Sequence, residues 1–156
     1  VFDESVVAFV RSGCALIVGS ASPDRRPVAS RGWGIPELDD GGEQITVLVD
    51  EDDHQAAANL VPGAAVAITA TSVTTLRSLQ LKGRVLEVEP ATAADAKVAR
   101  AYCDSFFGDI EQVDGMHRDI LERMVPAGWF RCRVAVEARY DQTPGPGAGA
   151  PMGARP

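Results

Sequence analysis

Hydrophobic positions recur along the chain with two periods, and the points where the period changes divide it into elements. The opening FDESVVAFVRSG carries Val6, Val7, Phe9 and Val10 behind the cap-friendly Asp3 to Ser5 and stops at Gly13, which predicts a short amphipathic helix. CALIVGSA is an apolar, β-prone run, SPDRR has turn chemistry, and PVASRGWGI alternates, so residues 14–35 are expected to form a hairpin, closed by the loop PELDDGGE. QITVLVD predicts a strand, EDDHQAAANLVPG a short helix with acidic residues in its first turn, and AAVAITA a further strand. LRSLQLKGRVLEVE then gives one long strand, interrupted or bulged at Gly83, where a residue without Cβ permits a sharp bend.

After Pro90 the period becomes helical. In TAADAKVARAYCDSFF, Thr92 is placed as N-cap with Asp95 as its capping-box partner, and Ala96, Val98, Ala99, Tyr102 and Phe106 follow near helical spacing. VDGMHRDILERMV predicts a second helix or helical pair, and WFRCRVAVEARY the last strand. The sum is about six strands and four short helices in one domain over residues 1–140. The Pro/Gly-rich remainder, residues 141–156, has little to bury and is expected to be an extended or disordered arm. Tight turns between strands and one long bent strand favour a mainly β fold. A small antiparallel barrel with inserted helices, which leaves no sheet edge open, suits them better than a flat sandwich.

Composition narrows the class. A chain of 156 residues with 46% hydrophobic content is one ordinary domain with a real core. Fifteen basic against 22 acidic residues leave a net charge of −7, so nucleic acid and anionic membrane surfaces are repelled by the chain as a whole and any bound anion has to be met by a local cluster of cations. Cys14, Cys103 and Cys132 are odd in number and widely spaced, which argues against a disulfide framework or a zinc ribbon and points to a reducing cytoplasm. With only His54 and His117, and no paired cysteines, no metal site is expected. No run approaches the roughly 18 apolar residues of a membrane-spanning helix.

The long strand carries an unusual crowd of polar heads: Arg77, Gln80, Lys82 and Arg84. These are either the solvated face of a half-buried sheet or part of an anion site. The acidic run Asp50 to Asp53 sits where a helix N-terminus would otherwise attract a phosphate, and repels it instead. No residue is marked as a general acid or base.

The order and spacing of RPVASRGWGI, ITVLVDEDDHQAAANLVPGAAVAI, LRSLQLKGRV and the terminal DQTPGPGAGAP, spread over residues 9 to about 147, resemble the flavin-binding split barrels related to pyridoxamine 5′-phosphate oxidase. That resemblance implies a six-stranded antiparallel split barrel that forms a homodimer, with FMN in the groove between the two barrels. It also implies a cofactor site drawn from Arg31, Gly32, Trp33, His54, Arg77, Ser78 and Gln80, with Arg31 reaching the phosphate and Arg77 and Ser78 beside the flavin. The two arginines, taken to lie on neighbouring strands, would close a charge-assisted clamp on the phosphate. The chain departs from the family pattern at two places: Pro36 stands where a Lys often ends the second barrel strand, and Asp52-Asp53-His54 where Ser-Arg-Lys often starts the following helix. His54 replaces the missing Lys only when protonated. Three function classes follow: an FMN-dependent oxidoreductase acting on a small molecule, a non-catalytic module for flavin or haem with His54 or His117 as axial ligand, and a structural homodimer without cofactor.

Overall fold

The computed structural model describes residues 4–39, 41 and 43–153. Its strands are β1 (Ala15–Ala21), β2 (Pro27–Gly32), β3 (Glu37–Leu38), β4 (Gln44–Asp50), β5 (Ala65–Thr71), β6 (Ser78–Pro90) and β7 (Trp129–Asp141). The helices are α1 (Glu4–Val10), α2 (His54–Asn59), α3 (Ala93–Asp114) and α4 (Arg118–Glu122). All strand pairs are antiparallel, in the order β2-β1-β5-β6-β7-β4, and a Gly32↔Val49 bridge between β2 and β4 closes the ring. The result is a closed six-stranded barrel with the two-residue β3 outside it, paired to β4.

Alternation sets the two surfaces of the barrel. Leu16 and Val18 of β1, Ile68 of β5, Leu81 and Val85 of β6 and Cys132 and Val134 of β7 point inward and are all but fully buried. β4 is buried on both faces over Ile45–Val49, which is why its sequence runs apolar rather than alternating. At Gly83 the register of β6 against β7 slips, as the sequence predicts; a Cβ there would sit 1.8 Å from the Ala135 carbonyl oxygen, so only glycine permits the approach.

The inserted helix α3 covers one end. The Thr92–Asp95 capping box forms, with the Asp95 carboxylate accepting from the Thr92 N–H at 2.8 Å and the Thr92 side chain accepting from the Asp95 N–H at 3.2 Å. Tyr102, Phe106 and Phe107 then bury against the barrel, and Gly13, at φ +78°, lets the helix come close where a Cβ would meet Ser105 at 2.4 Å. At 22 residues α3 is longer than the short helix expected, because its apolar spacing continues through Phe107 to its glycine C-cap, Gly115. The second helix or helical pair expected over 113–125 accordingly reduces to the end of α3 and the single turn of α4. α2 starts at His54 with Asp53 as its N-cap, so the acidic residues precede its first turn rather than occupy it. Among the described residues no helix is long and apolar enough to cross a membrane.

The tail was expected as an extended or disordered arm. Residues 142–153 instead double back: the Met152 N–H donates to the Arg139 carbonyl, the Gln142 N–H to the Ser78 carbonyl, and Pro151 bridges to Tyr140. Glycine and proline provide the reversal, and backbone hydrogen bonds, which composition does not display, hold it.

Candidate functional site

The hairpin register puts Arg31 opposite Ile17, Ile17 opposite Thr69, Thr69 opposite Gln80 and Gln80 opposite Tyr140. These side chains form a row across four neighbouring strands and a fifth on the outer surface of the barrel. With strands about 4.8 Å apart, Arg31 and Gln80 lie roughly 14 Å from each other along it. Ile17, next to Arg31 in the row, is 39% exposed, and the Gln80 amide donates to Thr69 Oγ1 at 3.0 Å.

Arg31 is the most distinctive member. Its guanidinium lies 5.0 Å from the Phe106 ring and 5.8 Å from the Trp33 ring, and its Nη1 is shielded from solvent without a hydrogen-bond partner. The aromatic faces attract the cation, but a shielded donor left unpaired costs about 1–3 kcal/mol. Trp33 itself is 4% exposed. Gly32 faces the core, where a Cβ would approach that of Leu16 to 2.8 Å; its place is explained by packing.

Arg77 stands on the β5–β6 turn with its guanidinium 4.6 Å from the Phe9 ring of α1. Its neighbour Leu76 takes a left-handed conformation at φ +60°, which turns the chain into β6. The Ser78 hydroxyl is 2.9 Å from Thr71 Oγ1, and its backbone is held by the tail, its N–H donating to Thr143 Oγ1 at 3.0 Å. The two arginines are therefore not on neighbouring strands. β1 and β5 lie between β2 and β6 in one direction and β4 and β7 in the other, so Arg31 and Arg77 belong to opposite sides of the ring. The expectation failed because β1 pairs with β5, a contact distant in sequence.

His54, the first residue of α2, is exposed. The acidic run before it satisfies its own backbone: Asp53 Oδ1 accepts from the Ala56 N–H and Asp50 Oδ1 from the Asp52 N–H, both at 2.9 Å. One donor that a phosphate would use at this end, the Ala56 N–H, is thus taken by a carboxylate, and the charges of the acidic run oppose an anion there. On β6 the remaining polar heads have partners of their own: Lys82 lies 4.8 Å from the Tyr140 ring, and Arg84 pairs with Glu137 and donates to the Gly63 carbonyl. Those two belong to the solvated sheet face.

A charged cluster joins three elements and was not foreseen. Arg131 of β7 pairs with Glu37 of β3 and, through Nη1 at 3.5 Å, with Asp95 of α3; the Asp95 side chain is 5% exposed. The Arg131 hydrogen bond holds the Glu37 carboxyl below its usual range. The capping box was a visible signal for Asp95, but nothing in the sequence paired it with Arg131. The three cysteines are free and buried, and burial pushes the thiols of Cys14 and Cys103 up to about 11 and that of Cys132 to about 12, which leaves them unreactive. Among the described residues no group of three His, Cys, Asp or Glu side chains is arranged to hold a metal.

No family model matches the chain, and no curated protein matches it. Solved structures do. HupZ of Group A Streptococcus aligns with 96% of this chain and 100% of its own at 14% identity and a TM-score of 0.56. A candidate pyridoxamine 5′-phosphate oxidase from Lactobacillus delbrueckii covers 89% of this chain and 93% of its own at 14% identity and 0.55. An F420 reductase covers 88% and 98% at 18% identity and 0.54. At such identities the likeness is one of fold: the chain is a split barrel of the kind found in pyridoxamine 5′-phosphate oxidase-related proteins.

Proposed function

We propose that this chain is an FMN-binding split barrel that works as a homodimeric, cytoplasmic, flavin-dependent oxidoreductase on a small molecule. The observation that carries the reading is Arg31: a guanidinium held on two aromatic rings, with Nη1 shielded and unpaired, at the head of a row containing the exposed Ile17. FMN combines an anionic phosphate with a flat, largely apolar ring. The row offers a cation for the first and Ile17, Thr69 and Gln80 for the second, so the residues fit at the sheet, whereas the α2 start does not fit a phosphate. Two structural neighbours bear the names of redox enzymes, an oxidase and a reductase, and three free cysteines suit a reducing compartment. A bound flavin supplies the electron chemistry; the protein binds it, orients it and excludes water.

The positions of Arg31 and Arg77 bear on the dimer. Because β2 and the turn into β6 are separated by two strands either way round the ring, on this reading a shared clamp is drawn from Arg31 of one protomer and Arg77 of another. Exposed Ile17 and Leu86 give the outer sheet face apolar surface for such an interface.

Titration of the protein with FMN, followed by flavin fluorescence quenching, tests the reading. Arg31→Ala and Arg77→Ala are each expected to weaken binding by about thirtyfold or more, the loss of roughly 2–5 kcal/mol that follows removal of one charge partner desolvated in the complex, with Lys82→Ala close to wild type. A wild-type protein that binds no FMN, or arginine variants that bind as well as Lys82→Ala, would overturn it. The self-capped acidic start of α2 favours one other reading, a structural homodimer that holds no cofactor, and a colourless protein that sediments as a dimer and takes up neither FMN nor haem would establish that instead.

A further inference from the structure

A cleft lies between the end of α1, the segment joining β2 to β3, and α3, with its Tyr102 stacked on the Phe106 ring against which Arg31 rests. It has a volume of about 390 Å³, within the range of small-molecule sites. Its floor is apolar: Val10, Ile35 and Tyr102 are 2%, 5% and 7% exposed. The Tyr102 hydroxyl is already committed, donating to the Cys14 carbonyl at 2.9 Å, and burial raises the group's pKa, so it brings no charge. Polar recognition falls to Arg11 and Ser105, a guanidinium and a hydroxyl, and no carboxylate lines the space. The walls are fixed. Ile35 lies two residues before Glu37, and Val98, on the facing wall, three after Asp95; Arg131 binds both carboxylates and so ties the two walls together.

From this arrangement we infer that the cleft is a binding site for a small apolar anion, a carboxylate or sulfonate carried on an aromatic or aliphatic body, with the body on Val10, Ile35 and Tyr102 and the anionic group on Arg11. A pre-formed apolar floor reduces the ordering cost of binding, and a single cation at the rim selects the sign of the ligand's charge. Its cation is Arg11 rather than Arg31, so the inference does not rest on the flavin reading.

The probe is anilinonaphthalene sulfonate, an aromatic anion whose fluorescence rises on entering an apolar site, titrated against the full chain beside its uncharged relative N-phenyl-naphthylamine. One saturable site per chain is expected for both. Arg11→Ala weakens the sulfonate at least about fivefold and leaves the neutral probe within about twofold, while Arg11→Lys retains most of the affinity, because the charge is read across a wet rim. Ala101→Trp, which fills the cleft from an exposed position on α3, lowers both probes by about tenfold or more. If Ala101→Trp fails to fold, the exposed Arg11 variants carry the test alone. The inference is overturned if the sulfonate finds no saturable site, if Arg11→Ala binds it as wild type does, if Arg11→Ala weakens both probes equally, or if a folded Ala101→Trp keeps wild-type affinity. FMN titration of Arg11→Ala, expected to match wild type, separates failure here from failure of the flavin site.

Discussion

Asp95 carries two structural duties with one carboxylate, and replacing it by alanine measures both. In the protein it accepts from the Thr92 N–H at 2.8 Å and the Thr92 hydroxyl at 2.9 Å, and pairs with Arg131 Nη1 at 3.5 Å. The Asp95→Ala variant keeps the Thr92 side-chain cap on the backbone N–H of residue 95 but frees the Thr92 N–H, the reciprocal half of the capping box, at a cost of about 1 kcal/mol. Breaking a fully buried ion pair from one side costs about 3–5 kcal/mol. Arg131 is 16% exposed and keeps Glu37, so that figure falls to about 1–2 kcal/mol here. The expected loss is therefore about 2–3 kcal/mol, which for a domain of this size lowers Tm by roughly 5–10 °C. Urea unfolding of wild type, Asp95→Ala, Arg131→Met and the double variant gives the coupling directly, and about 1 kcal/mol is expected between the two sites. A loss below about 0.5 kcal/mol for Asp95→Ala, or additive single effects, would refute the reasoning, since surface substitutions without such partners fall in that range.

Three further outcomes follow from the same geometry. Gly83→Ala places a Cβ against the Ala135 carbonyl oxygen, a backbone atom that cannot move without disturbing the β6–β7 register, so a loss at or above the ~3 kcal/mol upper end of ordinary overpacking is expected in denaturant unfolding. Glu37 has its folded pKa lowered, chiefly by the Arg131 hydrogen bond; it contributes stability above its ordinary value of 4.5 and loses it as pH falls through the folded value, so the gap between wild type and Glu37→Gln, clear at pH 7, should close on acidification. A constant gap across that titration would contradict the pairing. Truncation after Tyr140 removes the Thr143 and Gln142 hydrogen bonds to Ser78 and the Met152 bond to Arg139, for a net loss of about 1–2 kcal/mol once the freed chain entropy is counted, read as a Tm lower by a few degrees.

The fold was legible wherever one element declares itself locally. The hairpin of β1 and β2 shows its turn residues, β6 its bulge at Gly83, and α3 its capping box, because each depends on neighbours within a few positions. β3 was hidden inside what read as a loop: two residues carry no period, and they form a strand only because β4 offers them an edge. The reversal of the tail was hidden for the same reason, since its partners are backbone groups of Ser78, Arg139 and Asp141 rather than apolar side chains.

The candidate site was legible as a set of residue types but not as an arrangement. Arginines at 31 and 77 can be read from the sequence, yet which strands lie between them depends on pairings of β1 with β5 and of β2 with β4 that close the barrel over long separations. The same holds for what surrounds each guanidinium. Arg31 is distinctive because Phe106, from a helix that follows four strands later, lies against it and leaves Nη1 without a partner; Arg77 rests on Phe9 from the first helix. A charged residue acquires a role through the burial and partners that tertiary packing gives it, and Arg31 has the shielding that Lys82 and Arg84, paired on the open sheet face, do not. That contrast makes Arg31, rather than the polar crowd on β6, the residue on which an anionic ligand of the sheet should depend most strongly.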